Sequence, residues 1–172
     1  QEVTLTNNWI TCNMGDDRKT VIIVDDDSEF VEVIRHILEN DGSWEITHSF
    51  DSLESFYASY ISFVTDSQSI ALDLNSARSW SPDLLIMDVF ASNAPATTAV
   101  PLTGLQVSLD LRDIGLQFGT LIISSMDSPS LLRMVQSRHK DGWAYLVKSA
   151  DLNSADILKA AQEIQPAAMV VD

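Results

Sequence analysis

The sequence predicts an α/β protein in which a parallel β-sheet is covered by helices on both faces, and three observations carry that expectation. Strand-like and helix-like stretches alternate five times along the chain, the order that gives parallel pairing with right-handed crossovers. The clearest strand stretches, such as Thr20–Val24 and the apolar run ending at Met87, are short and unbroken, as in strands buried on both faces. Several of these runs end on a chemically active residue, Asp25, Asp88, Ser125 or Lys148, and open parallel sheets place their ligands beyond the carboxyl ends of the strands.

Residues 1–19 mix Thr, Asn and Asp with scattered Val3, Leu5, Trp9 and Ile10. They read as an N-terminal extension that adds a short strand or lies on the surface. Thr20–Val24 is a β-branched strand, followed at once by Asp25, Asp26 and Asp27. Ser28 or Asp27 can cap the helix that follows, whose Phe30, Val33, Ile34, Ile37 and Leu38 keep the spacing of one apolar face. Asn40-Asp41-Gly42 stops it. Trp44 to Phe50 alternates enough for a second strand, and Asp51-Ser52 opens a helix through Leu53, Phe56, Tyr57, Tyr60 and Ile61. The polar segment Thr65 to Ser79, with Ile70, Leu72 and Leu74 embedded, reads as an extra helical turn or two.

A Pro82-Asp83 turn leads into the third strand, which closes on Asp88, and Val89 to Pro101 is a polar loop of small residues. Gly104 to Ile114 is helical by its Leu105, Leu109 and Leu111 spacing and is ended by Gly115. Thr120 to Ser125 is the fourth strand, Ser130 to Ser137 a helix, and Trp143 to Val147 the fifth strand, ending in Lys148. Asp151 or Ser154 starts a last helix through Ile157, Leu158, Ala161 and Ile164, closed by Pro166. The expected organisation is an extension (1–19), one domain (20–165) and the start of a linker (166–172) to an output domain.

Composition excludes several classes. A net charge of −15 with only ten Lys and Arg leaves too few cations to neutralise a phosphate backbone, so direct nucleic-acid binding by this segment is not expected. No apolar run approaches the roughly 20 residues of a membrane span, and no signal peptide opens the chain. The single Cys12 cannot form an internal disulfide, which fits a reducing compartment, and a cytoplasmic location is the default expectation. The start at Gln1 is what a processed or trimmed fragment would show. His36, His48 and His139 have no metal-ligand spacing, and the four tryptophans are scattered as packing residues are.

Asp25-Asp26, Asp88, Ser125 and Lys148 would share one edge of a parallel sheet. Carboxylates packed within a few ångströms repel one another unless a cation joins them. Oxygen-only ligands suit a hard metal, most simply Mg²⁺, bound by one or two carboxylates plus phosphate oxygens. A lysine and a hydroxyl opposite them supply a point charge and a hydrogen bond for phosphoryl oxygens. Asp88 would then be the nucleophile, taking a phosphoryl group as an acyl phosphate. Taken singly each piece has a plainer reading: the Asp run as an acidic helix cap, Ser125 as a strand-end serine with Ser124 its rival if the register slips, Tyr145 as a core aromatic. Asp25 and Asp26 are preferred over Asp27 as the metal pair, because Asp27 is needed near the helix start.

These residues resemble a known family, the receiver domains of two-component response regulators, over roughly Thr20 to Ile164. The carriers are Val-Ile-Ile-Val-Asp25-Asp26-Asp27, Pro82-Asp83-Leu-Leu-Ile-Met-Asp88, Pro101-Leu-Thr-Gly104, Leu-Ile-Ile-Ser-Ser125-Met126 and Gly142-Trp-Ala-Tyr145-Leu-Val-Lys148. The resemblance implies a flavodoxin-like three-layer fold with a five-stranded parallel sheet in the order 2-1-3-4-5. It implies that Asp88 is phosphorylated and that Asp25 and Asp26 hold Mg²⁺ with the backbone carbonyl of Phe90. Ser125 is then the switch hydroxyl, Tyr145 the switch aromatic and Lys148 the phosphate-contacting lysine. The implied partner is a histidine kinase or phosphotransfer protein, with a second copy of the chain or another protein on the face of strands 4 and 5. Such a chain accepts and loses phosphate as a switch rather than turning over substrate.

Three departures from the family pattern stand out. Val89 to Val100 separates Asp88 from Pro101 where the family has a short loop, and Thr65 to Ser79 lengthens the entry to the third strand. Ser149 follows the lysine where the family often has a cis proline. A cis bond before serine costs about 2.5–4 kcal/mol, so a trans bond or a different path is expected there. The Ser125-Met126 and Lys148-Ser149 pairs are closest to the subgroup with helix-turn-helix outputs, which points to transcription regulation. Two rivals remain: a receiver-like interaction module that is not phosphorylated, and a metal-dependent aspartyl phosphatase. The latter usually needs an acid two residues after the nucleophile, where this chain has Phe90.

Overall fold

Short, mostly apolar runs build the sheet. The computed structural model describes residues 18–67, 82–88, 118–125, 133 and 142–164. Its strands are β1 (Lys19–Val24), β2 (Trp44–Phe50), β3 (Leu84–Met87), β4 (Gly119–Ser124) and β5 (Trp143–Val147). They form one sheet, parallel throughout, in the order β2-β1-β3-β4-β5, as the resemblance implies. The described helices are α1 (Ser28–Asp41), α2 (Leu53–Ser67) and α3 (Ser154–Glu163).

Alternation along the strands divides the core into two clusters. Val21, Ile23, Leu84, Ile86, Leu121 and Ile123 pack with Val31, Ile34 and Leu38 of α1 and Ile157 and Ala161 of α3. Ile22, Val24, Leu85, Met87 and Ile122 face the other way, onto Leu53, Phe56 and Tyr60 of α2. Helices therefore lie on both faces, and the result is three layers. Each such side chain contributes about 1.5–3 kcal/mol on burial, so the sheet can hold a self-repelling polar edge at its carboxyl end.

Strand β2 carries a bulge that weak alternation concealed. Val21 pairs with Ile46 but Ile22 pairs with His48, so Thr47 is an extra residue. One extra residue reverses the facing of everything after it. Trp44 and Ile46 consequently join the α1 face, while Phe50 joins the α2 face.

The helix ends resolve the open choices. Asp27, not Ser28, caps α1, its side chain accepting from the Phe30 N–H at 3.1 Å. Gly42 closes that helix with φ +79°, a conformation that suits glycine. Ser52 caps α2, its Oγ accepting from the Ser55 N–H at 3.2 Å. Ser154 is the first residue of α3, but the cap is Asn153, in a reciprocal capping box with Asp156. One expectation fails: Val33 does not face the core but is 51% exposed, and Val31 is buried instead. At 100° per residue Val33 stands about 200° around the helix from Val31, and the seat against the sheet is set by Val31, Ile34 and Leu38.

Gly119 opens β4, and a Cβ there would collide with the Cγ2 of buried Ile164. Ile164 is a stiff β-branched residue just beyond α3, so it cannot easily yield. Gly119→Ala is expected to lower stability by about 1–3 kcal/mol, read as a lower urea midpoint at unchanged slope.

Lys19, read as part of the extension 1–19, opens β1, and Thr65 to Ser67, read as part of the segment Thr65 to Ser79, end α2; residues 1–17 and 68–79, the loop from Val89 to Pro101, the helix Gly104 to Ile114 and residues 166–172 lie outside the described residues. Of the helix Ser130 to Ser137 only Arg133 is described, and it is helical. Among the described residues no helix is long and apolar enough to cross a membrane.

Candidate functional site

The site forms where three strand ends and one turn converge. β1 hands over to Asp25, whose N–H donates to the Phe50 carbonyl at 3.0 Å. β3 hands over to Asp88, whose N–H donates to the Val24 carbonyl at 2.9 Å. The Lys148 N–H donates to the Ser124 carbonyl at 2.7 Å, holding the end of β5 beside β4. Backbone pairing thus carries on one residue past the strands and fixes where these side chains begin.

The alternation of the sheet decides which side they point to. Asp25 continues the series Val21, Ile23; Asp88 continues Leu84, Ile86; Lys148 continues Ala144, Leu146; and these series belong to the α1 face. Ser125 continues Leu121, Ile123 on the same parity and is exposed, whereas Ser124 has the opposite parity and is fully buried. Tyr145 is half-buried and packs against the other cluster, that of Ile22, Leu53 and Ile122.

Lys148 ties the two buried carboxylates together. Its Nζ lies 2.8 Å from Asp25 Oδ2 and 3.1 Å from Asp88 Oδ2, with side-chain exposures of 15%, 4% and 10% in the order Lys148, Asp25, Asp88. Burial pushes the Lys148 ammonium down, but its hydrogen bonds to Asp25 and Asp88 together with the attraction of their charges outweigh this and leave its pKa above the ordinary lysine value. Burial raises the pKa of Asp25, and the hydrogen bonds from Lys148 and the Asp27 N–H offset that only in part. The Asp27 N–H occupies Asp25 Oδ1 at 2.9 Å. Lys148 also stands 4.4 Å from the centre of the Phe30 ring, a contact that no local pattern in the sequence announces.

Asp25, Asp26 and the distant Asp88 each bring a carboxylate oxygen within 4.8 Å of the others, with Asp26 exposed and the other two buried. Octahedral ligands about 2.1 Å from Mg²⁺ stand about 3–4 Å apart, so small rotations of these side chains would seat a hard cation. The donors are all oxygen, and the exposed Asp26 leaves room for the waters that Mg²⁺ retains. The residues present therefore fit such an ion. Asp27 serves as the helix cap, and its side-chain Oδ1 accepts from the Phe30 N–H. The Phe90 carbonyl lies outside the described residues. The Lys148–Ser149 peptide is trans.

No protein-family model matches the sequence, and the search of curated proteins found no match. Solved structures do match. The signal receiver domain of the response regulator NarL from Mycobacterium tuberculosis is 20% identical, with 85% of this chain and 98% of that one covered at a TM-score of 0.55. A DNA-binding response regulator of the LuxR family from Staphylococcus aureus is 16% identical over 84% of this chain and 96% of its own, also at 0.55. A CheY-like receiver domain from Methanospirillum hungatei is 16% identical over 85% of this chain and 92% of its own, at 0.53. The structural neighbours are thus response-regulator receiver domains, and the chain has their flavodoxin-like fold.

Proposed function

We propose that this chain is the phosphoacceptor receiver domain of a two-component response regulator, phosphorylated on Asp88 in the presence of Mg²⁺. The observation that supports it best is the convergence of Asp25, Asp26 and Asp88 within 4.8 Å with Lys148 bound to two of them. An Asp88 oxygen attacks phosphorus to form an acyl phosphate, while the bond from phosphorus to the donor breaks. The donor would be the imidazole nitrogen of a histidine kinase or phosphotransfer protein. Lys148 keeps its proton and meets the charge gathering on the phosphoryl oxygens. Asp25 and Asp26, with the Phe90 carbonyl, would hold Mg²⁺, which when bound supplies further neutralisation of that charge.

The output follows from the neighbours of Asp88. Ser125 is the hydroxyl whose parity brings it to the same face, and a phosphoryl group would draw it and its loop inward. Tyr145, on the adjacent strand, would follow and repack the β4–β5 face, where a partner or a second copy would bind. Incubation with acetyl phosphate and Mg²⁺ should add one phosphate, seen by intact mass, and Asp88→Asn should abolish it. Label on another residue would overturn the assignment of Asp88. Absence of label with partner binding indifferent to Asp88→Asn would favour an interaction module instead.

A further inference from the structure

We propose that Phe30 is a positioning residue for Lys148, its ring holding the ammonium between the Asp25 and Asp88 carboxylates, where it is placed to meet an incoming phosphoryl group. The last clause rests on the function proposed above; the positioning itself does not.

Lys148 leaves the sheet at β5, three strand positions from β1 in the order β2-β1-β3-β4-β5, yet its Nζ touches the Asp25 carboxylate at 2.8 Å. Neighbouring strands stand about 4.8 Å apart, so the side chain must stay extended along the edge, against the entropy of a long flexible stem. The Phe30 ring, 4.4 Å from Nζ, offers its negative face to the ammonium. Such contacts strengthen where water is largely excluded, as it is here.

The backbone that carries the ring is itself held. Asp27 caps α1 and its Oδ1 accepts from the Phe30 N–H at 3.1 Å. The Asp27 N–H in turn donates to Asp25 Oδ1 at 2.9 Å, and Asp25 Oδ2 accepts from Lys148. Asp25, Asp27, Phe30 and Lys148 therefore form a closed circuit through the β1–α1 turn. Both oxygens of one carboxylate are engaged, one through the helix cap and one through the lysine. Phe30 is the one apolar member, and it also lines the groove of about 360 Å³ between α1 and the start of α3, with Lys148 and Ile157. A leucine would fill much the same space but has no π-face.

The test compares the full chain as wild type, Phe30→Leu and Phe30→Trp. In the wild type the Lys148 ε-methylene resonance, assigned by its loss in Lys148→Met, should be shifted upfield by the ring current. It should return to an ordinary lysine position in Phe30→Leu and be shifted again in Phe30→Trp. The maximal rate of labelling by acetyl phosphate at saturating Mg²⁺ should fall about three- to tenfold in Phe30→Leu. The acetyl phosphate concentration for half-maximal rate should be unchanged, and Phe30→Trp should recover the rate. A Lys148 signal at an ordinary position in the wild type, or one equally shifted in Phe30→Leu, would overturn the proposal. So would a tryptophan variant no faster than the leucine variant. If the wild type takes no label, the receiver function falls, and the resonance alone decides the positioning.

Discussion

Lys148→Met is expected to lower stability by about 2–3 kcal/mol at neutral pH with divalent ions chelated. Its Nζ is within hydrogen-bond distance of Asp25 and Asp88. Removing one partner of a buried ion pair costs about 3–5 kcal/mol, because the other charge stays behind uncompensated. The lower part of that range applies here, since 15% of the lysine side chain reaches water and the carboxylates can take up a proton. The loss should be largely recovered in Lys148→Met/Asp25→Asn, which removes one of the two repelling charges, so the pair should be strongly non-additive. Mg²⁺ should also restore part of it. Urea denaturation checks each step, and a Lys148→Met midpoint equal to the wild type would show that the ion pairs carry no net stability. The pH dependence has a definite sign. The folded pKa of Lys148 is raised above 10.5, so its contribution is fully present below that value and is lost as pH rises through the folded pKa. Lys148→Met should lack that alkaline decline.

Asp25→Asn should do the opposite and stabilise the protein, by about 0.5–2 kcal/mol at neutral pH without divalent ions. Burial holds the Asp25 pKa above its ordinary 3.8, and the nearby Asp88 charge adds to the rise. The folded state therefore holds this proton more tightly than the unfolded chain. Stability contributed by Asp25 falls as pH rises from 3.8 through the folded pKa and stays reduced above it. The Asn variant removes that decline while keeping the Lys148–Asp88 contact, and its amide can still accept from the Asp27 N–H. The stabilised protein should bind Mg²⁺ more weakly and take up less phosphate, because the charge that costs stability is the one a cation needs. Melting curves between pH 4 and 7 provide the check. A variant less stable than the wild type across that range would mean that the Lys148 hydrogen bond outweighs the burial of Asp25.

The proposed site was legible because its residues sit at breaks in strong local patterns. Asp25, Asp88 and Lys148 each follow a run of apolar residues, and a charge at the end of a buried strand is visible without knowing what it meets. The bulge at Thr47 was not visible, because in a strand half-buried on both faces an added residue leaves no clear break in alternation. Val33 was misplaced for a related reason. The apolar residues of α1 outnumber the seats available against the sheet, so periodicity offered two overlapping stripes. Asn153 and Asp156 did carry a readable capping signal, three residues apart.

Among the described residues, what the sequence determined alone is the five strands, three helices, their order and the polar groups that close them, since hydrophobic period, turn residues and caps all act within a few residues. The tertiary structure decided how those ends are shared. It gave Asp27 to the helix and Asp25 to the lysine, put Ser125 rather than Ser124 on the Asp88 side, and set Phe30 beneath an ammonium 118 positions further along the chain. Such pairings depend on strand order and on the handedness of the crossovers, which bring together residues whose local patterns contain no trace of one another.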